Sequence, residues 1–98
     1  MRESTIERQV CAWAENELGC IVRKFISPGN RGVPDRMFIF PRGTVAFIEF
    51  KAPGKKPTAL QMRELKILNE RDVYALWTDN FNDACAWLRG IDLQDDFY

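Results

Sequence analysis

The 98-residue chain has no histidine, so hydrolytic chemistry that runs on imidazole is closed to it. What remains is carboxylate, lysine, arginine and a borrowed metal ion. Two short stretches could supply that chemistry. The first is Glu49-Phe50-Lys51, at the end of residues 44–51 (TVAFIEFK), whose β-branched and aromatic content predicts a strand. On a strand, residues i and i+2 share a face. Glu49 and Lys51 therefore point together with Val45 and Phe47 behind them, and Ala46, Ile48 and Phe50 fill the opposite face. Ending a strand that is apolar on both faces with a carboxylate and an ammonium is costly unless they serve something. The plainer alternative is an ion pair at the solvent boundary. An acid-x-Lys triplet arises by chance about once in a chain this long, and Glu64-Leu65-Lys66 is a second copy. That copy lies on a predicted helix, where residues two apart face different ways, and is set aside.

The second stretch is Gly32-Val33-Pro34-Asp35. Pro34 fixes its own φ and pushes Val33 toward extended backbone. Gly32 lets the chain pass close to another group. Asp35 then opens an apolar strand as a rigidly aimed carboxylate, although a turn aspartate that satisfies backbone amides has the same look. The two stretches lie on successive strands joined by the short turn Pro41-Arg42-Gly43, so the strands should be antiparallel neighbours. Asp35, Glu49 and Lys51 then meet at one edge of the sheet. Two carboxylates and a lysine suit Mg²⁺ or Mn²⁺, which takes protein oxygens, water and phosphate. Lys51 could orient the attacking water or neutralise charge developing on a phosphoryl group.

Apolar spacing and breakers predict the elements that must position these residues. A helix capped at Ser4 or Thr5 carries Ile6, Val10, Trp13, Ala14 and Leu18, and Gly19 stops it. Strands follow at 21–26, 36–40 and 44–51, separated by the irregular loop 27–34. A helix from Ala59 to about Arg71, capped by Thr58, turns Leu60, Leu65 and Leu68 inward. A strand at 73–78 and a last helix capped by Asp79, reaching about Leu88 and closed by Gly90, complete the order αβββαβα. The expected organisation is one α/β domain over residues 1–90, a small mixed sheet flanked by helices, and a loosely held acidic tail at 91–98.

Hydrophobic residues make up 46% and charged residues 29%, which excludes disorder. The apolar runs are too short to span a bilayer. The N-terminus reads as no signal peptide, so a cytoplasmic location is the default expectation. Cys11, Cys20 and Cys85 form no C-x-x-C and read as reduced thiols. Net charge is zero, but it is unevenly spread: residues 21–78 carry +6 and the two ends together −6. Lys24, Arg31 and Arg36 flank the first loop, with Arg23 beside them; Lys55, Lys56 and Arg63 flank the second. Salt-dependent contact with backbone phosphates is their natural task, against the alternative of a solvated loop surface.

Glu7 in the first helix, Gly32-Val33-Pro34-Asp35, Glu49-x-Lys51 and Gln61 in the second helix together resemble the VRR-NUC family of virus-type replication-repair nucleases, within the PD-(D/E)xK superfamily. The resemblance runs from about Ile6 to Leu88. It implies a restriction-endonuclease-like fold with an αβββαβ core. It also implies a Mg²⁺- or Mn²⁺-dependent endonuclease acting on DNA, structure-selective for branched or junction substrates in replication or repair. By that resemblance Asp35 and Glu49 are metal ligands with the Phe50 carbonyl as a third, and Lys51 is the catalytic lysine. Glu7 is the helix acid that reaches the metal site, and Gln61 supports the site or contacts phosphate. A phage or prokaryotic origin and a homodimer presenting two sites are further implications, with Phe97 and Tyr98 or a face of the first helix as contacts; neither membrane nor organic cofactor is expected. Ser4-x-x-Glu7 and Thr58-x-x-Gln61 are also capping boxes, so either side chain could simply bond a helix terminus. The competing function is a non-catalytic nucleic-acid-binding or scaffold module that keeps the fold.

Overall fold

Alternation along the third strand decides which side of the sheet is sealed. In the computed structural model, which describes residues 1–95, that strand is Val45–Phe50. The chain runs α1 (Glu3–Leu18), β1 (Ile21–Lys24), β2 (Arg36–Ile39), β3 (Val45–Phe50), α2 (Ala59–Glu70), β4 (Tyr74–Thr78) and α3 (Phe81–Asp95), in the expected order. The sheet order is β1-β2-β3-β4, antiparallel at the first two joins and parallel at β3–β4. Parallel pairing needs a long crossover, which α2 supplies. Ala46, Ile48 and Phe50 of β3 and Phe38 of β2 pack with Ile6, Val10, Ala14 and Leu18 of α1 and Ala84, Leu88 and Ile91 of α3. Each large side chain fully buried there contributes about 1.5–3 kcal/mol. The free thiols Cys11, Cys20 and Cys85 are buried, the first two within this core. No helix among the described residues is long and apolar enough to cross a membrane.

Four expectations are corrected. Helix α1 starts at Glu3 after Arg2, which makes no side-chain cap; Ser4 lies inside the helix, so no Ser4–Glu7 capping box forms. Leu60 is half exposed, and on α2 it is Leu65 that is buried. Asn80, not Asp79, caps α3, accepting from the Asp83 N–H at 2.9 Å; Asp79 instead accepts from the Gly54 N–H at 2.9 Å and ties the loop after β3 to the end of β4. Finally, α3 does not close at Gly90 but runs on to Asp95. A mid-helix glycine costs about 1 kcal/mol, which tertiary contacts offset. Ile91 is buried, the Thr44 hydroxyl donates to Asp95 Oδ1 at 2.8 Å, and an Arg42 N–H donates to the Asp95 carbonyl at 2.6 Å. Residues 91–95 of the expected loose tail are thus helix. Phe97 and Tyr98 lie outside the described residues.

Candidate active site

The β2–β3 register pairs Arg36 with Ile48; one step further it sets Asp35 opposite Glu49, the juxtaposition that the short turn predicted. The Phe50 N–H donates to Asp35 Oδ2 at 3.3 Å, and the Phe25 N–H donates to the Asp35 carbonyl at 2.9 Å. Asp35 is therefore held from both neighbouring strands. Glu49 is 2% exposed. Lys51 Nζ lies 3.2 Å from Glu49 Oε2, so the two share a face as alternation requires. Phe50 enters through its N–H and through a fully buried ring.

Gln61 both caps α2 and reaches Glu49. Its Oε1 accepts from the Thr58 N–H at 2.9 Å and its own N–H donates to Thr58 Oγ1 at 3.2 Å, completing the capping box. Its Nε2 donates to Glu49 Oε2 at 3.2 Å. An amide has an acceptor end and a donor end; a glutamate here could cap the helix but would set a second carboxylate against Glu49. Gly32 brings this helix to the site. At φ +85° it lies so close to α2 that a Cβ would stand 2.8 Å from the Leu60 carbonyl carbon and oxygen and 3.0 Å from the Gln61 nitrogen. The loop that delivers Asp35 thus packs directly on the turn that delivers Gln61.

The first helix brings Glu3, an acid that the sequence reading did not single out, to the site. Carboxylate oxygens of Glu3, Asp35 and Glu49 lie within 4.8 Å of one another. Glu7, the expected helix acid, is not in that group: Arg36 Nε donates to its Oε2 at 2.8 Å. Glu3 and Glu7 are four residues apart and share a helix face, so spacing could not separate them. The available signal was Arg36, next to Asp35 and able to claim one of the two acids. A cleft of about 260 Å³ opens beside the cluster, lined by Glu3, Glu7, Lys24, Phe25, Ile26, Asp35 and Arg36. A larger hollow of about 450 Å³ between α2 and β4 is lined by Leu65, Ala75, Leu76 and Trp77 with Lys66, Asn69 and Glu70, and gathers no set of acids.

Electrostatics set this place apart. Burial, followed by the nearby Asp35 charge, raises the Glu49 carboxyl to about 7, although Lys51 acts in the opposite sense. Glu49 Oε1 is buried with no hydrogen-bond partner among the described residues. A buried unpartnered carboxylate oxygen costs several kcal/mol unless a positive charge meets it. An all-oxygen donor set with one orphaned member fits a hard divalent cation.

Of the six candidate phosphate contacts, Arg36 is engaged by Glu7. Lys24, Arg31, Lys55, Lys56 and Arg63 have no ion-pair partner among the described residues. Arg31 and Arg63 share a cleft beside α2, and Lys24 lines the acidic cleft. Trp13 and Trp87 pack against the core.

Sheet order and site together define the class: a restriction-endonuclease-like α/β domain with acids and a lysine gathered at the end of its central strands. No family profile matches the chain. Over 64 residues, 65% of this chain and 68% of the relative, it is 48% identical to "Putative nuclease p44" of Acyrthosiphon pisum secondary endosymbiont phage 1. A solved "VRR_NUC domain" superposes with TM-score 0.80 at 28% identity, covering 89% of this chain and 94% of that one. A "VRR_NUC domain protein" shares the fold with TM-score 0.75 at 15% identity, covering 91% of this chain and 86% of that one. The chain belongs to the VRR-NUC family.

Proposed function

We propose that this domain is a nuclease that hydrolyses DNA phosphodiester bonds with Mg²⁺ or Mn²⁺ at Asp35 and Glu49, using Lys51 as its catalytic cation. The observation that carries this reading is the buried, unpartnered Glu49 Oε1 inside a set of carboxylates that also touches a lysine. Family membership and the nuclease description of the phage relative support it. A divalent cation bound there supplies Lewis-acid polarisation of a phosphoryl oxygen and a more acidic water. The chain's own residues do the rest. Asp35 and Glu49, with the Phe50 carbonyl as a further candidate, present ligand oxygens. Gln61 fixes the Glu49 carboxylate. The Lys51 ammonium donates hydrogen bonds to the attacking water or to a non-bridging oxygen as charge builds there. Lys24, Arg31, Lys55, Lys56 and Arg63 hold the flanking phosphates, which makes binding salt-dependent and independent of sequence.

The finer reading is a structure-selective endonuclease for branched or junction DNA, working as a homodimer. It rests on family resemblance and on the small size of one domain, which offers few contacts to a branched substrate. The test is cleavage of labelled four-way, flap, single-stranded and linear duplex DNA with Mg²⁺, Mn²⁺ or EDTA, with light scattering on the same sample. Metal-dependent cutting ranked toward branched DNA by a dimer is expected. Equal cutting of all four, or a monomer, removes the finer reading. Metal-independent binding without any cutting removes the nuclease and leaves a nucleic-acid-binding module.

A further inference from the structure

Helix α2 carries two large aliphatic side chains on a face turned away from the core. Leu60 is 50% exposed and Ile67 42%, whereas Leu65 is buried. Arg63 and Glu64 lie between Leu60 and Ile67 in sequence, so the four recur at helical spacing along one face. Opposite that face runs the loop that leads to Asp35. Together they enclose a cleft of about 380 Å³, to which the loop contributes Asn30 and Arg31. We infer that this cleft holds one unpaired nucleotide of the substrate, its phosphate between Arg31 and Arg63 and its sugar and base against Leu60 and Ile67.

Arg31 and Arg63 have no ion-pair partner among the described residues, although Glu64 lines the same cleft. Two forked guanidinium groups suit a phosphate. The Glu64 carboxylate repels a second phosphate but accepts hydrogen bonds, as from an N–H on a base edge. One phosphate with one base satisfies this set of groups; a run of duplex phosphates does not. A phosphate alone also gains nothing from the aliphatic walls. A deoxyribose and an unstacked base do, because they remove the apolar surface of Leu60 and Ile67 from water. Leucine and isoleucine are among the side chains that proteins set against unstacked base steps, and guanidinium planes stack on single bases. The loop side of the cleft is fixed in advance. Asn30 Nδ2 donates to Ser27 Oγ at 2.9 Å, and the Asn30 N–H donates to the Ser27 carbonyl at 3.0 Å. Beyond Arg31, Gly32 packs on the backbone of Leu60 and Gln61. Arg31 thus stands between two anchored points. The same packing sets the cleft beside the acids: Leu60 immediately precedes Gln61, whose Nε2 donates to Glu49 Oε2 at 3.2 Å.

This inference rests on the reading that the domain acts on DNA, and it specifies which part of a substrate the domain grips. Affinity is measured by fluorescence anisotropy for a short labelled oligothymidylate, which does not pair with itself, and for a blunt hairpin duplex. EDTA is present, so the result does not depend on cutting. Wild type is compared with the double variants Leu60→Ala/Ile67→Ala and Arg31→Gln/Arg63→Gln. Melting curves confirm that each is folded; both wall positions are exposed, and alanine favours helix. The wall variant is expected to lower the ratio of single-strand to duplex affinity at least about fivefold. The arginine variant is expected to weaken single-strand binding at least about tenfold and to make it less dependent on salt. An unchanged ratio in the wall variant overturns the inference and leaves the cleft to backbone phosphates alone. Single-strand binding unaffected in the arginine variant overturns it as well. No affinity of wild type for either probe overturns the DNA reading together with the inference. Wild type that binds as expected yet cuts no DNA in Mg²⁺ loses the nuclease reading and keeps the nucleotide cleft.

Discussion

Ala46, Ile48 and Phe50 turn to one side of β3, where α1 and α3 seal them, while Val45, Phe47 and Glu49 turn to the other, where α2 leaves the sheet partly open. The β3 side chains on the sealed side are all apolar. The other side starts the same way: Phe47 packs at 4.9 Å against the tilted ring of Phe25, which lines the cleft. It then ends in a buried acid raised to about 7. One six-residue strand thus serves stability on one face and accepts a poorly satisfied charge on the other. A fold keeps such a local conflict where a ligand relieves it.

Substitutions can break that contrast, and the largest effect belongs to the open face. Lys51→Ala should lower metal-dependent cleavage about a hundredfold or more, measured as single-turnover rate, and should also lower the melting point, because the buried Glu49 loses its ion-pair partner. Gly32→Ala should be the next largest. The left-handed backbone costs about 1–2 kcal/mol in a non-glycine residue, and the new Cβ would press on α2 backbone. A melting point lower by roughly 8 °C or more is expected, together with reduced cleavage, since Gln61 moves with that turn.

The sealed face should show itself in alkali. Burial, as the largest cause, raises Cys11, Cys20 and Cys85 from 9.0 to about 11. The folded value lies above the unfolded one, so the stability of the neutral thiols is complete below pH 9 and lost as pH rises through 11. Urea midpoints at about pH 8 and about pH 10.5 should differ, and by less in a Cys85→Ala variant. The smallest effect should be Gly90→Ala. Nothing lies within 4 Å of a Cβ there, so the helix should gain about 0.5–1 kcal/mol, read as a small rise in melting temperature with cleavage unchanged.

Much of this arrangement was legible in the sequence because it rests on short-range rules. Strand alternation and a short turn were enough to bring Asp35, Glu49 and Lys51 together, and the glycine before Pro34 signalled a close approach. What was not legible depended on contacts between distant segments. The partner of each α1 acid depends on where β2 places Arg36. The end of α3 depends on Thr44 and Arg42 reaching Asp95, so Gly90 read as a stop when it is a passage. Asp79 and Asn80 are adjacent potential caps, and the choice fell to the one that the Gly54 loop left free. At Gln61 helix capping and contact with Glu49 are compatible, since each end of the amide takes one of them.

The central claim, that the open face of β3 is a metal-dependent nuclease centre while its sealed face only holds the fold, is tested most directly on two adjacent residues. Mg²⁺-dependent cleavage and melting are measured for Glu49→Gln and Ile48→Ala at a temperature where both are folded. The account predicts that Glu49→Gln melts within a few degrees of wild type, at about 1 kcal/mol or less, and does not cut. It predicts that Ile48→Ala loses about 2–5 kcal/mol of stability yet cuts near the wild-type rate. Wild-type cutting by Glu49→Gln would contradict it.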